Sequence, residues 1–154
     1  MNKRIFTFLI LLLLTGCSNV EGFIVDKDEG KILVVSNNPN NPDSSKHRAE
    51  DYPAVWISTN EKKYELGQKV KAYYDSIEES YPGQTTSHRI KILKSTKPSN
   101  ADLSVQEVIQ VLLNENDDLQ IPVIKELTYQ DNEDHWEITV MNNDEELYFL
   151  IEDK

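Results

Sequence analysis

Apolar residues in this chain recur mostly with a period of two. Val70, Ala72 and Tyr74 alternate with Lys69, Lys71 and Tyr73, and Ile90 and Ile92 alternate with Arg89 and Lys91. That spacing sends the two sets to opposite faces of a half-buried strand. Residues 21–26 and 54–58 read as further strands. Residues 31–36 are apolar on both faces, which predicts a central strand covered on both sides. Five short strands therefore fall within residues 21–95, with no helical pattern among them. Asp28-Glu29-Gly30 turns the first strand into the second, and Gly22 inside a strand predicts a bulge or a sharp bend. Residues 37–53 contain three prolines and no periodicity, so they form a long loop. It is either mobile or used for recognition, and it carries His47, Arg48, Glu50 and Asp51.

The period changes after the short linker 97–100. Ser104-x-x-Glu107 is a capping box, in which the serine oxygen accepts an orphan amide and the glutamate reaches back. Val105, Val108, Ile109 and Leu112 then recur at helical spacing, predicting an amphipathic helix over 104–114. Residues 121–129, 135–141 and 146–152 read as three strands. Trp136, Ile138 and Val140 share one face, and so do Leu147, Phe149 and Ile151. A helix on the apolar face of a three-stranded antiparallel sheet would bury both sets. The expected class is mainly β, α+β overall. A five-stranded OB-like small barrel, which removes sheet edges, is followed by a helix plus a three-stranded antiparallel sheet. A small sandwich is the alternative for the first part.

The first residues follow another pattern. Lys3 and Arg4 precede an apolar run over 5–14 that is broken only by Thr7. The run suits a signal peptide and is too short to cross about 30 Å of hydrocarbon as a helix. It ends in Leu14-Thr15-Gly16-Cys17, the pattern of a lipoprotein cleavage site. Cys17 is the only cysteine, so a thioether-linked lipid there would also remove a free thiol from an oxidising compartment. The expected organisation is a lipoprotein signal peptide over 1–16, a lipidated tether over 17–20, the barrel over 21–95 and an acidic αβββ module over 96–154. The expected location is the cell membrane, lipid-anchored at its extracytoplasmic face.

Charge separates the two halves. Residues 21–95 carry 11 basic and 12 acidic side chains, whereas residues 96–154 carry 3 basic and 15 acidic ones. The second half would repel the phosphates of nucleic acid and of anionic lipid. It is therefore expected to point away from the membrane, with the near-neutral half closer to it, and no nucleic-acid partner is expected.

Candidate chemistry is sparse. Asp26-x-Asp28-x-Gly30 resembles the start of a calcium loop, but no glutamate closes twelve residues and a hairpin turn explains it. Asp131, Glu133 and Asp134 lie in one turn and are the weak candidates for a hard cation; a solvated turn is the plainer reading. His47, His88 and His135 lack zinc-ligand spacing. No glycine cluster cradles phosphate and no nucleophile elbow exists, so neither a cofactor nor an enzymatic activity is expected. Trp56, Tyr73 and Tyr81 are candidates for a ligand-binding aromatic face of the barrel, set against ordinary core or turn packing.

The order Gly22-Phe-Ile-Val, Ile32-Leu-Val-Val, Ala54-Val-Trp-Ile, Leu66-Gly-Gln-Lys-Val, Tyr81-Pro-Gly-Gln-Thr and Arg89-Ile-Lys-Ile resembles the YobA-type domain of unknown function. That family occurs in small secreted and lipid-anchored proteins of Gram-positive bacteria. The resemblance covers roughly residues 20–95. It implies an OB-like barrel and an envelope location, and it implies no reaction. The expected function is that of a lipid-anchored, non-catalytic binding protein. Its partners are the membrane, through Cys17, and an envelope protein or surface component. The alternative is a binder of divalent cations or cationic ligands through the acidic half.

Overall fold

Residues 18–153 are described by the structure, a computed structural model. The leader and Cys17 lie outside them. Two sheets and one α-helix make up the described residues. The first sheet contains β1 (Ser18–Asp28), β2 (Lys31–Val35), β3 (Ala54–Ser58), β4 (Lys69–Tyr74), β5 (Gly83–Thr86) and β6 (Arg89–Ile92). Along the chain they are followed by α1 (Val105–Glu115) and by a second sheet of β7 (Val123–Gln130), β8 (His135–Asn142) and β9 (Glu145–Glu152).

The first sheet is a six-stranded half-barrel in the order β5-β3-β2-β1-β4-β6. Its pivot is β1. Residues from Ser18 to Phe23 pair with β4, and residues from Phe23 to Asp28 pair with β2. The strand must bend where it changes partner, and Gly22 sits at that point. A Cβ on Gly22 would lie 2.1 Å from the Val35 carbonyl oxygen, so only glycine allows the approach. Gly22 thus lies where β1 changes partner, and the register shift in this strand falls further on, between Ile24 and Asp26.

The alternation works as the sequence pattern implies. Val20, Ile24, Ile32, Val34, Val55, Ile57, Val70, Ala72 and Tyr74 point inward and form an enclosed cluster. Phe23, Val25, Leu33, Val35 and Ala54 point outward, yet they are buried too, under the second half of the chain. That double burial is why β2 is apolar on both faces.

Two expectations need correction. The half-barrel has six strands rather than five, because Gly83-Gln-Thr-Thr pairs in parallel with β3. This segment is polar and carries no alternation, so its pairing depends on a distant strand and leaves no local signal. Ser18, Asn19 and Val20, read as tether, already belong to β1 and pair with Tyr74, Tyr73 and Ala72.

The long loop is pinned at its end. A short 3-10 turn spans Ala49–Asp51, and Ala49 and Tyr52 are buried in the larger cluster. Ala49 N donates to Asn143 O at 3.0 Å, and Ser36 N donates to Pro53 O at 2.8 Å.

Helix α1 begins with the predicted capping box. Ser104 N donates to Glu107 Oε2 at 2.7 Å, and Ser104 Oγ accepts from Glu107 N. That pairing holds the Glu107 carboxyl below its ordinary value. Val108, Ile109 and Leu112 are fully buried against β7–β9 and the outer wall of the half-barrel. Polar contacts add to the docking. Gln110 Nε2 donates to Leu66 O at 3.0 Å, and Gln106 Nε2 donates to Glu65 Oε2 at 2.9 Å. Gly67 adopts φ +76, and a Cβ there would come 2.4 Å from the Gln106 carbonyl oxygen. The Leu66-Gly67 turn thus lets the half-barrel lie directly against the helix.

Asp153 closes the second module. Its carboxylate is buried and accepts from Leu103 N at 2.7 Å, from Trp136 Nε1 at 3.1 Å and from Asp102 N. Burial alone would raise its pKa, but these three donors outweigh burial and lower it.

Candidate interaction face

The second sheet has two unlike faces. Its inner face, with Trp136, Ile138, Val140 and Ile151, is buried in the larger cluster. Its outer face follows from the pairing register. Thr139 lies between Glu126 and Tyr148, Glu137 between Thr128 and Leu150, and His135 between Gln130 and Glu152. Tyr148 is 75% exposed and Leu150 is 72% exposed, the highest values among large apolar side chains of the described residues. Carboxylates surround them.

Part of this face is held in place by its own contacts. Lys125 and Glu146 form an ion pair, and the Tyr148 hydroxyl donates to Glu146 Oε1 at 2.8 Å. The hydrogen bond from Lys125 and then that from Tyr148 lower the Glu146 pKa, and the same bonds raise those of Lys125 and Tyr148. Gln130 Nε2 donates to Glu137 Oε2 at 2.8 Å. His135 sits with Nδ1 3.7 Å from Glu133 and Nε2 3.6 Å from Glu137, beyond hydrogen-bond distance.

The strand edge matters as much as the face. In the order β7-β8-β9, β9 is paired on one side only. Exposed edges are commonly blunted by a proline, a lysine or a bulge. β7, the opposite edge, has Pro122 just before it and a register shift between Ile124 and Glu126 at Lys125. The half-barrel ends in β5 and β6, each of only four residues. β9 spans eight residues, EELYFLIE, with none of these features.

The sequence candidates are scattered. Asp131 accepts from Asn100 Nδ2 at 2.8 Å, Asp134 accepts from the Tyr129 hydroxyl at 2.8 Å, and Glu133 faces His135. Each carboxylate thus has its own partner, and among the described residues no group of three or more His, Cys, Asp or Glu side chains is placed to hold a metal ion. Trp56 packs against the larger cluster from β3. Tyr73 lies on β4, three strands away from β3, with the Arg89 guanidinium 5.7 Å from its ring centre. Tyr81 lies in the β4–β5 connection, and its hydroxyl donates to Ala49 O at 2.7 Å. Burial, then the charges of Glu50 and Asp51, push its pKa up to about 12. Trp56 and Tyr73 both lie on the outward side of the half-barrel but on separate strands, and Tyr81 lies in a connection. Sequence reasoning missed Tyr148 and Leu150. The available signal was the unbroken apolar run 147–151, which a strand with one solvated face does not require.

The leader defines the class. Residues 1–18 match the prokaryotic membrane lipoprotein lipid attachment site, which makes this a lipid-anchored membrane lipoprotein. The body carries a second match. Residues 21–94, the half-barrel, match the family described as "Protein of unknown function (DUF3221)". The YobA-type resemblance read over residues 20–95 is met by that match. Among solved structures, a YobA protein from Bacillus subtilis subsp. subtilis str. 168 is similar at 19% identity, over 51% of this chain and 97% of that one, with a TM-score of 0.38. No protein with a curated description matches the chain.

Proposed function

We propose that this chain is a non-catalytic binding protein, anchored by a lipid on Cys17 to the extracytoplasmic face of the membrane. Its contact surface is the outer face and free edge of β9, and its partner is a positively charged protein segment. One observation carries the reading: Tyr148 and Leu150 stand exposed on an unblunted edge strand among carboxylates. An edge strand accepts main-chain hydrogen bonds from an added strand, and its side chains set the specificity. A second copy of β9 fits poorly, because Glu145, Glu146 and Glu152 would meet their own kind. A basic segment fits the charge.

The shifted groups on the outer face, Lys125, Glu146 and Tyr148, act on one another. Perturbed groups mark functional sites when they converge in a cleft. Here Glu107 serves a helix cap, Asp153 fastens a loop, and Tyr81 ties two loops together. The alternative, a divalent-cation binder, draws less support, since Asp131, Glu133 and Asp134 face different partners.

The first module reads best as OB-like. Its strand pairings run β3-β2-β1-β4, with β5 parallel to β3 and β6 antiparallel to β4. Only Ser87 and His88 separate β5 from β6, and Ser87 Oγ lies 2.8 Å from the Tyr73 carbonyl oxygen. Taken as one broken strand, β5–β6 would complete a five-strand circuit of the partly open OB kind.

Photo-crosslinking in intact cells tests the binding surface. A crosslinker at position 150 is expected to give one discrete adduct whose joined segment is rich in lysine and arginine. The same group at position 62 is expected to give none. Equal adducts from both positions, or an acidic joined segment, would overturn the proposal.

A further inference from the structure

The outward face of β1, β4 and β6 is as basic as the second sheet is acidic. Cross-strand partners share a face, so Asn19, Tyr73 and Arg89 form one row, and Glu21, Lys71 and Lys91 form the next. Lys69 stands opposite Phe23 at the end of this surface. The one carboxylate among these residues, Glu21, is shared by Lys69 at 3.6 Å and Lys71 at 3.5 Å. Arg89 and Lys91 are exposed.

Folding explains this arrangement in part: Glu21 serves Lys69 and Lys71, and the Arg89 guanidinium lies 5.7 Å from the Tyr73 ring centre, while Lys91 has only Lys71 beside it in the register. Lys71 and Lys91 are direct cross-strand neighbours, and like charges placed opposite each other destabilise a sheet. A bound polyanion would turn that cost into attraction. Position then decides which one. β1 begins at Ser18, the residue after Cys17, so no tether separates the strip from the attachment point. Arg89 is two strands from Asn19, about 10 Å at ordinary strand spacing. The polar layer of a leaflet is about 5–7 Å deep. At its Lys69 end this surface meets the second module, since Phe23 is buried in the shared cluster, and Lys71, Arg89 and Lys91 lie beyond that contact.

We infer that the strip Lys69, Lys71, Arg89 and Lys91 rests on the anionic headgroups of the membrane that holds the lipid. This rests on the anchor reading for Cys17. Acyl chains and a basic patch together hold a protein more firmly than either does alone. Contact on this side fixes the orientation of the molecule and leaves β9 free for a partner.

The test uses the purified lipoprotein, with the lipid on Cys17 checked by mass, reconstituted into vesicles of phosphatidylcholine with or without phosphatidylglycerol. Acetylation of Lys91 is expected to slow several-fold in the anionic vesicles and to recover in high salt. Acetylation of Lys62, at the far end of the half-barrel, is expected to be the same in both. Equal rates at Lys91 in both vesicles overturn the inference. If the mass shows no lipid, the anchor reading fails by itself, and the strip is tested by adding the unlipidated protein to the same vesicles. Partition into anionic vesicles should then fall about fivefold for each of Lys71→Gln, Arg89→Gln and Lys91→Gln. No drop, or release by inorganic polyphosphate with no preference for anionic vesicles, overturns it. Thermal midpoints of Lys71→Gln and Lys91→Gln equal to or above the parent's show that these variants remain folded.

Discussion

The two apolar clusters of this molecule differ in where their residues come from. The buried residues of the cluster inside the half-barrel all fall between Val20 and Tyr74, with Ile90 packed against them. The larger one joins Phe23, Val25, Leu33 and Val35 of β1 and β2 to Val108, Ile109 and Leu112 of α1 and to Trp136, Ile138 and Val140 of β8. β1 and β2 feed both clusters with alternate residues. Two modules that charge and pattern separate are therefore one body by packing. Among the described residues the second module has no separate apolar cluster, and the outside of the first module forms part of its cover.

The largest expected effect would break this unity. Leu112→Ala removes a fully buried side chain from the shared cluster and should cost about 2–5 kcal/mol. Methyl signals of Ile57 in the half-barrel and Val140 in the second sheet should lose native dispersion at the same, lowered denaturant concentration. Separate midpoints would show that the clusters unfold independently.

Asp153→Asn sharpens the comparison at a polar contact. The amide offers a donor where Asp102 N, Leu103 N and Trp136 Nε1 all require acceptors, so the loss should be about 1–3 kcal/mol at neutral pH. The parent Asp153 has a lowered pKa in the folded state. Its contribution is therefore fully present above the unfolded value near 3.9 and is lost as pH falls through the folded one. Acid titration of stability should show a shallower fall in the variant than in the parent below about pH 4. An unchanged slope would assign acid sensitivity to other groups.

Ser104→Ala should act least, at about 1 kcal/mol, by leaving an amide of the first turn of α1 without its acceptor. Because α1 is shared cover, this loss too should lower both methyl midpoints together.

Elements whose signal is local were legible in the sequence. β3 and β4 have the expected bounds, and the helix begins at its capping box. β5 was not legible, since its ladder is a parallel pairing with β3, a strand far away in the sequence. The doubly apolar β2 showed that something covers the half-barrel, but the identity of the cover depends on Gly67 fitting against Gln106, a contact between segments far apart in the chain. The candidate face was half legible. Its acidity is plain in composition, whereas the exposure of Tyr148 and Leu150 follows from which side of the sheet α1 occupies. The charge asymmetry between halves hid the basic strip, because acidic loops balance it within residues 21–95.

The outward wall of β1–β3 has a consequence for turnover. A protease that cut between Lys94 and Ala101 and removed the downstream part would not leave a tidy smaller lipoprotein. It would leave a membrane-bound remnant displaying Phe23, Val25, Leu33, Val35 and Trp56 to water, a greasy scar that invites clumping or further digestion.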